Sequence, residues 1–306
     1  MPHWGAFGLL QAARAALPEE IIVPPSLEHS GIHFLCENLQ VTGSYKVRAV
    51  CHWLGQRRAE EPPVALASSG NFAVALAWAG RRFGLDVTAV MMERSHPWKV
   101  ERVRQLGGKI LVCGNSTEER TRTLESLQMQ GYEILEHLND PRVLVGHATL
   151  GLDLAVQRPR RVLVPASTGG LLAATALALK QFDPEVQVIG VQPQGACAMA
   201  LSFRQRAMCR IDSVDTECDA LTANHPGPLP LQLALELVDD MATVSEASIR
   251  RAVRWLAEEL KLVVEPGAAV GLAALQSGEI EPQEGTWVVL SGGNLAPARL
   301  ARWLAE

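Results

Sequence analysis

The sequence predicts an α/β protein with largely parallel sheets, arranged as two lobes around a cleft. Three observations carry this. Strand-like apolar runs alternate with helix-like segments through most of the chain, and strand–helix–strand units build parallel sheets. The alternation comes in two series, which implies two lobes with a ligand cleft between them. Several strand-to-helix junctions are rich in Ser, Thr, Gly and Asn.

In the first series, residues 63–67 read as a short buried strand and 72–83 as a helix. Residues 87–92 are the next strand and 97–106 the next helix, with Pro97 where a missing N–H is tolerated. Residues 109–113 read as strand, 117–130 as a polar, exposed helix, and 132–136 as strand. The second series has strand 161–165, helix 171–180 and strand 186–191. An amphipathic helix over 246–260, a strand over 286–290 and a helix over 296–305 complete it. Residues 205–232 have weak periodicity and include His225, Pro226, Gly227 and Pro228, so they read as a long surface loop.

At 306 residues the chain can form one large domain or two lobes with real cores. Its 48% hydrophobic and 20% charged residues are an ordinary globular balance. The net charge of -5 and the short basic stretch at 158–161 argue against nucleic acid as a partner. No apolar run is long enough to span a bilayer, and residues 1–8 lack the order of a signal peptide, so a cytoplasmic location is expected. The cysteines at 36, 51, 113, 197, 209 and 218 include no CxxC pair and read as reduced, mostly buried thiols.

Four segments can carry chemistry. Ser68, Ser69, Gly70 and Asn71 join a strand to a helix, as do Ser167, Thr168, Gly169 and Gly170. Free N–H groups at such junctions suit a carboxylate or phosphate, although a plain helix N-cap has the same composition. Neither matches a dinucleotide or P-loop fingerprint. Ser291-Gly292-Gly293-Asn294 follows the 286–290 strand and reads equally as a tight turn. Lys46 opens a helix after Gly43, Ser44 and Tyr45. A single such lysine is ordinarily solvated, and gains meaning only if the other junctions converge on it.

Taken together the segments resemble the fold-type II pyridoxal-phosphate (PLP) enzymes, in their serine/threonine dehydratase and serine racemase branch. Residues 37–48, ENLQVTGSYKVR, resemble that branch's ENLQ-TGSFK-x-R segment. Ser68 to Asn71 resembles its S-[AS]-G-N loop, and Ser167 to Gly170 sits where its glycine-rich phosphate loop lies. Glu265-Pro266-Gly267-Ala268 resembles EP-x-GA, and Ser291 to Asn294 the terminal SGGN. Asn139, Asp140 and Pro141, then Gly146 to Thr149, resemble DP-x-x-x-x-GQGT. The matches occur in family order over about residues 35–300.

The resemblance implies a two-lobed fold with three-layer α/β/α lobes and the cofactor in the cleft. The large lobe would comprise residues 1–57 and 142–306, and a small mobile lobe residues 58–141. A homodimer is implied, with PLP as cofactor and a small amino acid as substrate. Lys46 falls on the Schiff-base lysine. It should be partly buried with a lowered pKa, because only a neutral amine attacks an aldehyde or takes an α-proton. Ser167, Thr168, Gly169, Gly170 and Leu171 would hold the phosphate, Asn71 the ring 3'-oxygen and Ser291 the pyridine nitrogen, with Glu265 also at the cofactor. A neutral hydroxyl on that nitrogen favours prompt loss of a β-leaving group over transamination. Ser68, Ser69, Gly70 and Asn71 would hold the substrate carboxylate, with Asn139 also at the substrate. Ser69 could serve either as a carboxylate-binding hydroxyl or as a second base opposite Lys46.

The chain departs from the pattern at several points. Ser167 and Thr168 replace glycines, Phe72 replaces a frequent His, Ala49 replaces a Gly, and His147 and Ala148 replace Gln and Gly. Val191-Gln192-Pro193 lacks the carboxylate of the family's cation-binding VEP segment, so no metal is expected. The expected activity is dehydration and deamination of L-serine or L-threonine. The alternatives are a racemase using Lys46 and Ser69, a β-replacement synthase, and a non-catalytic binding protein on the same scaffold.

Overall fold

The computed structural model describes residues 3–58 and 60–305. Met1, Pro2, Ala59 and Glu306, which fall within the leader and lobe expectations, lie outside the described residues. Ten strands are described: β1 Ser26–His29, β2 Ile32–Leu35, β3 Val64–Ala67, β4 Val87–Met92, β5 Lys109–Cys113, β6 Glu133–Ile134, β7 Arg161–Pro165, β8 Gln187–Pro193, β9 Asp240–Val244 and β10 Thr286–Val289. The larger sheet has the order β1-β2-β10-β7-β8-β9, and only the β1–β2 pair is antiparallel. The smaller sheet, β5-β4-β3-β6, is wholly parallel. Its strands all lie between residues 64 and 134.

The helices are α1 Phe7–Ala15, α2 Lys46–Leu54, α3 Asn71–Phe83, α4 Pro97–Gln105, α5 Thr117–Met129, α6 Pro141–Ala155, α7 Gly170–Phe182, α8 Ala198–Gln205, α9 Pro228–Leu237, α10 Glu246–Glu258, α11 Val270–Gln276 and α12 Pro297–Ala305. Successive strand residues point to opposite faces, and both faces are covered. Val162, Val164 and Val289 pack with Leu150 and Leu154 of α6 and Leu172 of α7. Their neighbours Leu163 and Val288 pack with Ile249 and Leu256 of α10 and Leu272 of α11. In the smaller sheet Val64 and Leu66 meet α2 and α3, whereas Ala65 and Ala67 face Leu127 of α5. Strands buried on both faces read as continuous apolar runs, which is why these were legible.

Three expectations need correction. The 205–232 loop ends at Gly227, because α9 begins at Pro228. Pro228 and Pro230 look like breakers, but the first helical turn has spare N–H groups that a proline need not supply. The strand expected over 132–136 shrinks to Glu133–Ile134, since β3 offers partners only at Val64 and Ala65. The helix expected to start at Leu171 starts at Gly170 and runs to Phe182. Among the described residues no helix is long and apolar enough to cross a membrane.

Candidate active site

The chain's two ends meet at Lys46. Tyr45 N–H donates to Ser291 O at 3.1 Å, Gly293 N–H to Gly43 O at 2.8 Å, and Asn294 Nδ2 to Thr42 O at 2.9 Å. Gly43 has φ of +72°, and a Cβ there would fall 2.4 Å from Asn294 Oδ1. Only glycine fits this contact. Just inside α2, Arg48 is fully buried and bonds Glu37, Asp153 Oδ2 at 2.8 Å and Ile22 O at 3.2 Å. Burial opposes the Arg48 charge, but Glu37 and Asp153 outweigh it and raise the pKa. These anchors fix the first turn of α2, and with it Lys46.

Lys46 is half-buried. Its Nζ donates to Tyr45 Oη and lies 4.1 Å from the Tyr45 ring centroid and 4.8 Å from that of Phe72. Burial brings its pKa down to about 7, against the opposing pull of Glu265. Glu265 is buried, which raises its own pKa, with Lys99 the main opposing charge. Asn71 Nδ2 donates to both Glu265 carboxylate oxygens, at 2.8 and 3.0 Å, and Asn294 Nδ2 donates to Asn71 Oδ1 at 2.9 Å.

One cavity is lined by Lys46, Asn71, Glu265, Ser291 and the run Ser167 to Leu171. Residues far apart in the chain thus line one cavity. Gly169 N-caps α7 with φ of +94° and no side-chain acceptor. A Cβ there would lie 2.9 Å from Met199 Cε. The first-turn N–H groups of α7 therefore meet the cavity without a capping side chain. Gln192, from the segment expected to lack a cation ligand, accepts from Ala200 N–H at 2.8 Å and donates to Ser167 O at 3.4 Å.

Other expected residues lie beside the cavity rather than on its wall. Ser68 Oγ accepts from Gly70 N–H at 3.2 Å, Ser69 Oγ accepts from Met92 N–H at 3.1 Å, and Ser95 Oγ donates to Ser69 Oγ at 2.7 Å. A Cβ on Gly70 would lie 3.9 Å from Lys99 Nζ, which pairs with Asp219 at 2.5 Å. Asn139 stands away from the wall, where its Oδ1 accepts from Leu229 N–H at 2.8 Å and caps α9.

The cavity wall also includes Tyr45, Phe72, His137, His147, Ala220 and Leu221. Phe72 and His147 were visible in the sequence as departures. His137 was not singled out, although it follows β6, and carboxyl ends of parallel strands are where α/β sheets bind ligands. Burial, then Lys46, takes the His137 pKa down to about 3 and holds that of His147 well below the usual range.

These residues fit an aldehyde cofactor bearing a phosphate. With its pKa near 7 a large share of the amine is neutral at physiological pH, and an uncapped helix N-terminus offers N–H donors to an anion. The comparisons with known proteins agree. The chain is 34% identical over 269 residues to an L-threonine ammonia-lyase of Thermotoga maritima, covering 86% of this chain and 67% of that protein. The structure of maize serine racemase superposes with a TM-score of 0.92 at 27% identity, covering 98% and 96% of the two chains. A threonine deaminase from T.th. gives 0.89 at 29% identity, covering 94% and 97%. The family model described as "Pyridoxal-phosphate dependent enzyme" matches residues 21–292. The chain belongs to that family, and its cofactor is pyridoxal phosphate.

Proposed function

We propose that this chain dehydrates and deaminates a small β-hydroxy amino acid, L-serine or L-threonine. The α-proton and the β-hydroxyl leave as water, and the resulting enamine is hydrolysed to ammonia and a 2-oxo acid. The carrying observation is the meeting of Lys46, Ser291 and the α7 N-terminus on one cavity. The resemblance to an L-threonine ammonia-lyase and a threonine deaminase supports it.

When bound, PLP supplies an electron-withdrawing ring that accepts the electrons of the Cα–H bond. Lys46 would hold it covalently and, once released by substrate, take the α-proton. Ser167, Thr168, Gly169, Gly170 and Leu171 would hold the phosphate, Ser291 the ring nitrogen and Asn71 the ring oxygen. Glu265 would orient Asn71 through its two hydrogen bonds. Ser68, Ser69 and Gly70 would offer the substrate carboxylate the N-terminal end of α3. Asn139 takes no part in this reading, because its side chain is committed to α9. The reading carries with it a homodimer, a cytoplasmic location and lobes divided as 1–57 with 142–306 against 58–141. Confinement of the smaller sheet to residues 64–134 supports that division.

Racemisation is the second reading, favoured by the likeness to maize serine racemase. Ser69 would have to leave Met92 and Ser95 to act as the opposite base. Incubation with PLP and L-serine or L-threonine in deuterated water, followed by proton NMR, decides. Pyruvate or 2-oxobutanoate is expected. Loss of the α-proton signal without oxo acid would replace dehydration by racemisation, or by a synthase awaiting its second substrate. Lys46→Ala is expected to remove both activity and the visible absorbance of bound PLP, and an active, yellow variant would overturn the assignment.

A further inference from the structure

We propose that His147 is a ligand of the cofactor's phosphate group, donating a ring N–H hydrogen bond to it beside the α7 N-terminus. This rests on the PLP site described above and adds to it a residue outside the glycine-rich junction. His147 lies on α6, is 2% exposed and lines the cavity. Its Nδ1 has no hydrogen-bond partner. That nitrogen is closed off from the cavity, and among the described residues no group bonds the other ring nitrogen, Nε2, which neighbours Cδ2 and is the donor proposed here.

The ring is held in place by two aromatic neighbours. Its centroid lies 4.9 Å from that of Tyr45 and 5.8 Å from that of Phe72. On another side is the phosphate junction, where a Cβ on Gly170 would stand 3.7 Å from His147 Cδ2. The Cδ2 edge of the imidazole thus lies beside the first turn of α7, and both line the one cavity. A phosphate has several acceptor oxygens and can accept from both helix N–H groups and an imidazole N–H. Burial, then Lys46, His137 and Arg48, disfavours a proton on His147 before an anion binds.

The test compares PLP with pyridoxal, which has the same aldehyde and ring but no phosphate. Dissociation constants are read from visible absorbance for the wild type, His147→Leu and His147→Gln, with circular dichroism checking each fold. His147→Leu is expected to weaken PLP at least about tenfold while leaving pyridoxal within about twofold. His147→Gln, which retains an N–H donor, is expected to recover most of the loss. Equal weakening of both ligands, or no weakening of PLP, would overturn the proposal. Should His147→Leu fail to fold, wild-type protein labelled with ¹⁵N-histidine decides. A ring nitrogen signal absent from His147→Gln should shift with PLP and not with pyridoxal, and an unresponsive signal rejects the phosphate contact. Failure of wild-type protein to bind either aldehyde would instead remove the PLP reading of the site.

Discussion

At the scale of single residues, the site turns on one amine. Lys46 would be protonated at neutral pH if it were solvated, and burial brings its pKa down to about 7. Only the neutral amine attacks an aldehyde, so PLP uptake by the apoprotein should accelerate as pH rises through about 7 and then level off. Stopped-flow absorbance from about pH 6 to 9 measures this, and a flat profile would contradict it. Glu265 pulls in the opposite direction, favouring the charged amine. Glu265→Gln should therefore move the midpoint of that profile to lower pH. An upward move would mean that Glu265 does not act on Lys46 through its charge.

At the scale of elements, α2 is placed by its neighbours more than by its own propensity. Arg48 joins Glu37 and Asp153 in a buried network, and Asp153 also meets Arg14 of α1 at 2.7 Å. Arg48→Met leaves Glu37 buried without its cation, which should cost about 3–5 kcal/mol in chemical denaturation. The crossing of α2 with α6 is equally tight. A Cβ on Gly146 would lie 2.5 Å from Ala49 Cα. Because the obstacle is backbone, Gly146→Ala should destabilise by about 1–3 kcal/mol. It should also weaken PLP binding, since pushing α2 away displaces Lys46. Unchanged stability would show that the two helices separate freely.

At the scale of the whole molecule, the buried imidazoles link stability to pH. His137 has its pKa lowered to about 3 and His147 lies well below the usual value, mainly because of burial. In the unfolded chain both accept protons below about pH 6.5, whereas in the folded apoprotein they resist. Protons then favour the unfolded state, so the stability of the apoprotein falls as pH drops from about 6.5 toward 3. Urea midpoints at about pH 7 and pH 5 measure the fall. Replacing His137 with Phe should reduce its slope, and an identical slope would assign the acid sensitivity to other groups.

The sequence by itself determined the alternation of strands and helices, because residues such as Val162, Leu163 and Val164 form local apolar runs buried on both sheet faces. It also pointed to the cofactor, through the family resemblance carried by Lys46 and the ordered junctions at 68–71, 167–170 and 291–294. Elements without an apolar signature stayed hidden. All four residues of β1 are exposed, and β9 buries only Met241 and Val244. Only the tertiary structure decided that Asn139 caps α9, that Ser69 bonds Ser95, and that His137 and His147 enclose Lys46. Local periodicity records which face of an element is buried. Which side chains meet across long stretches of chain depends instead on how the sheets and helices close around the cleft.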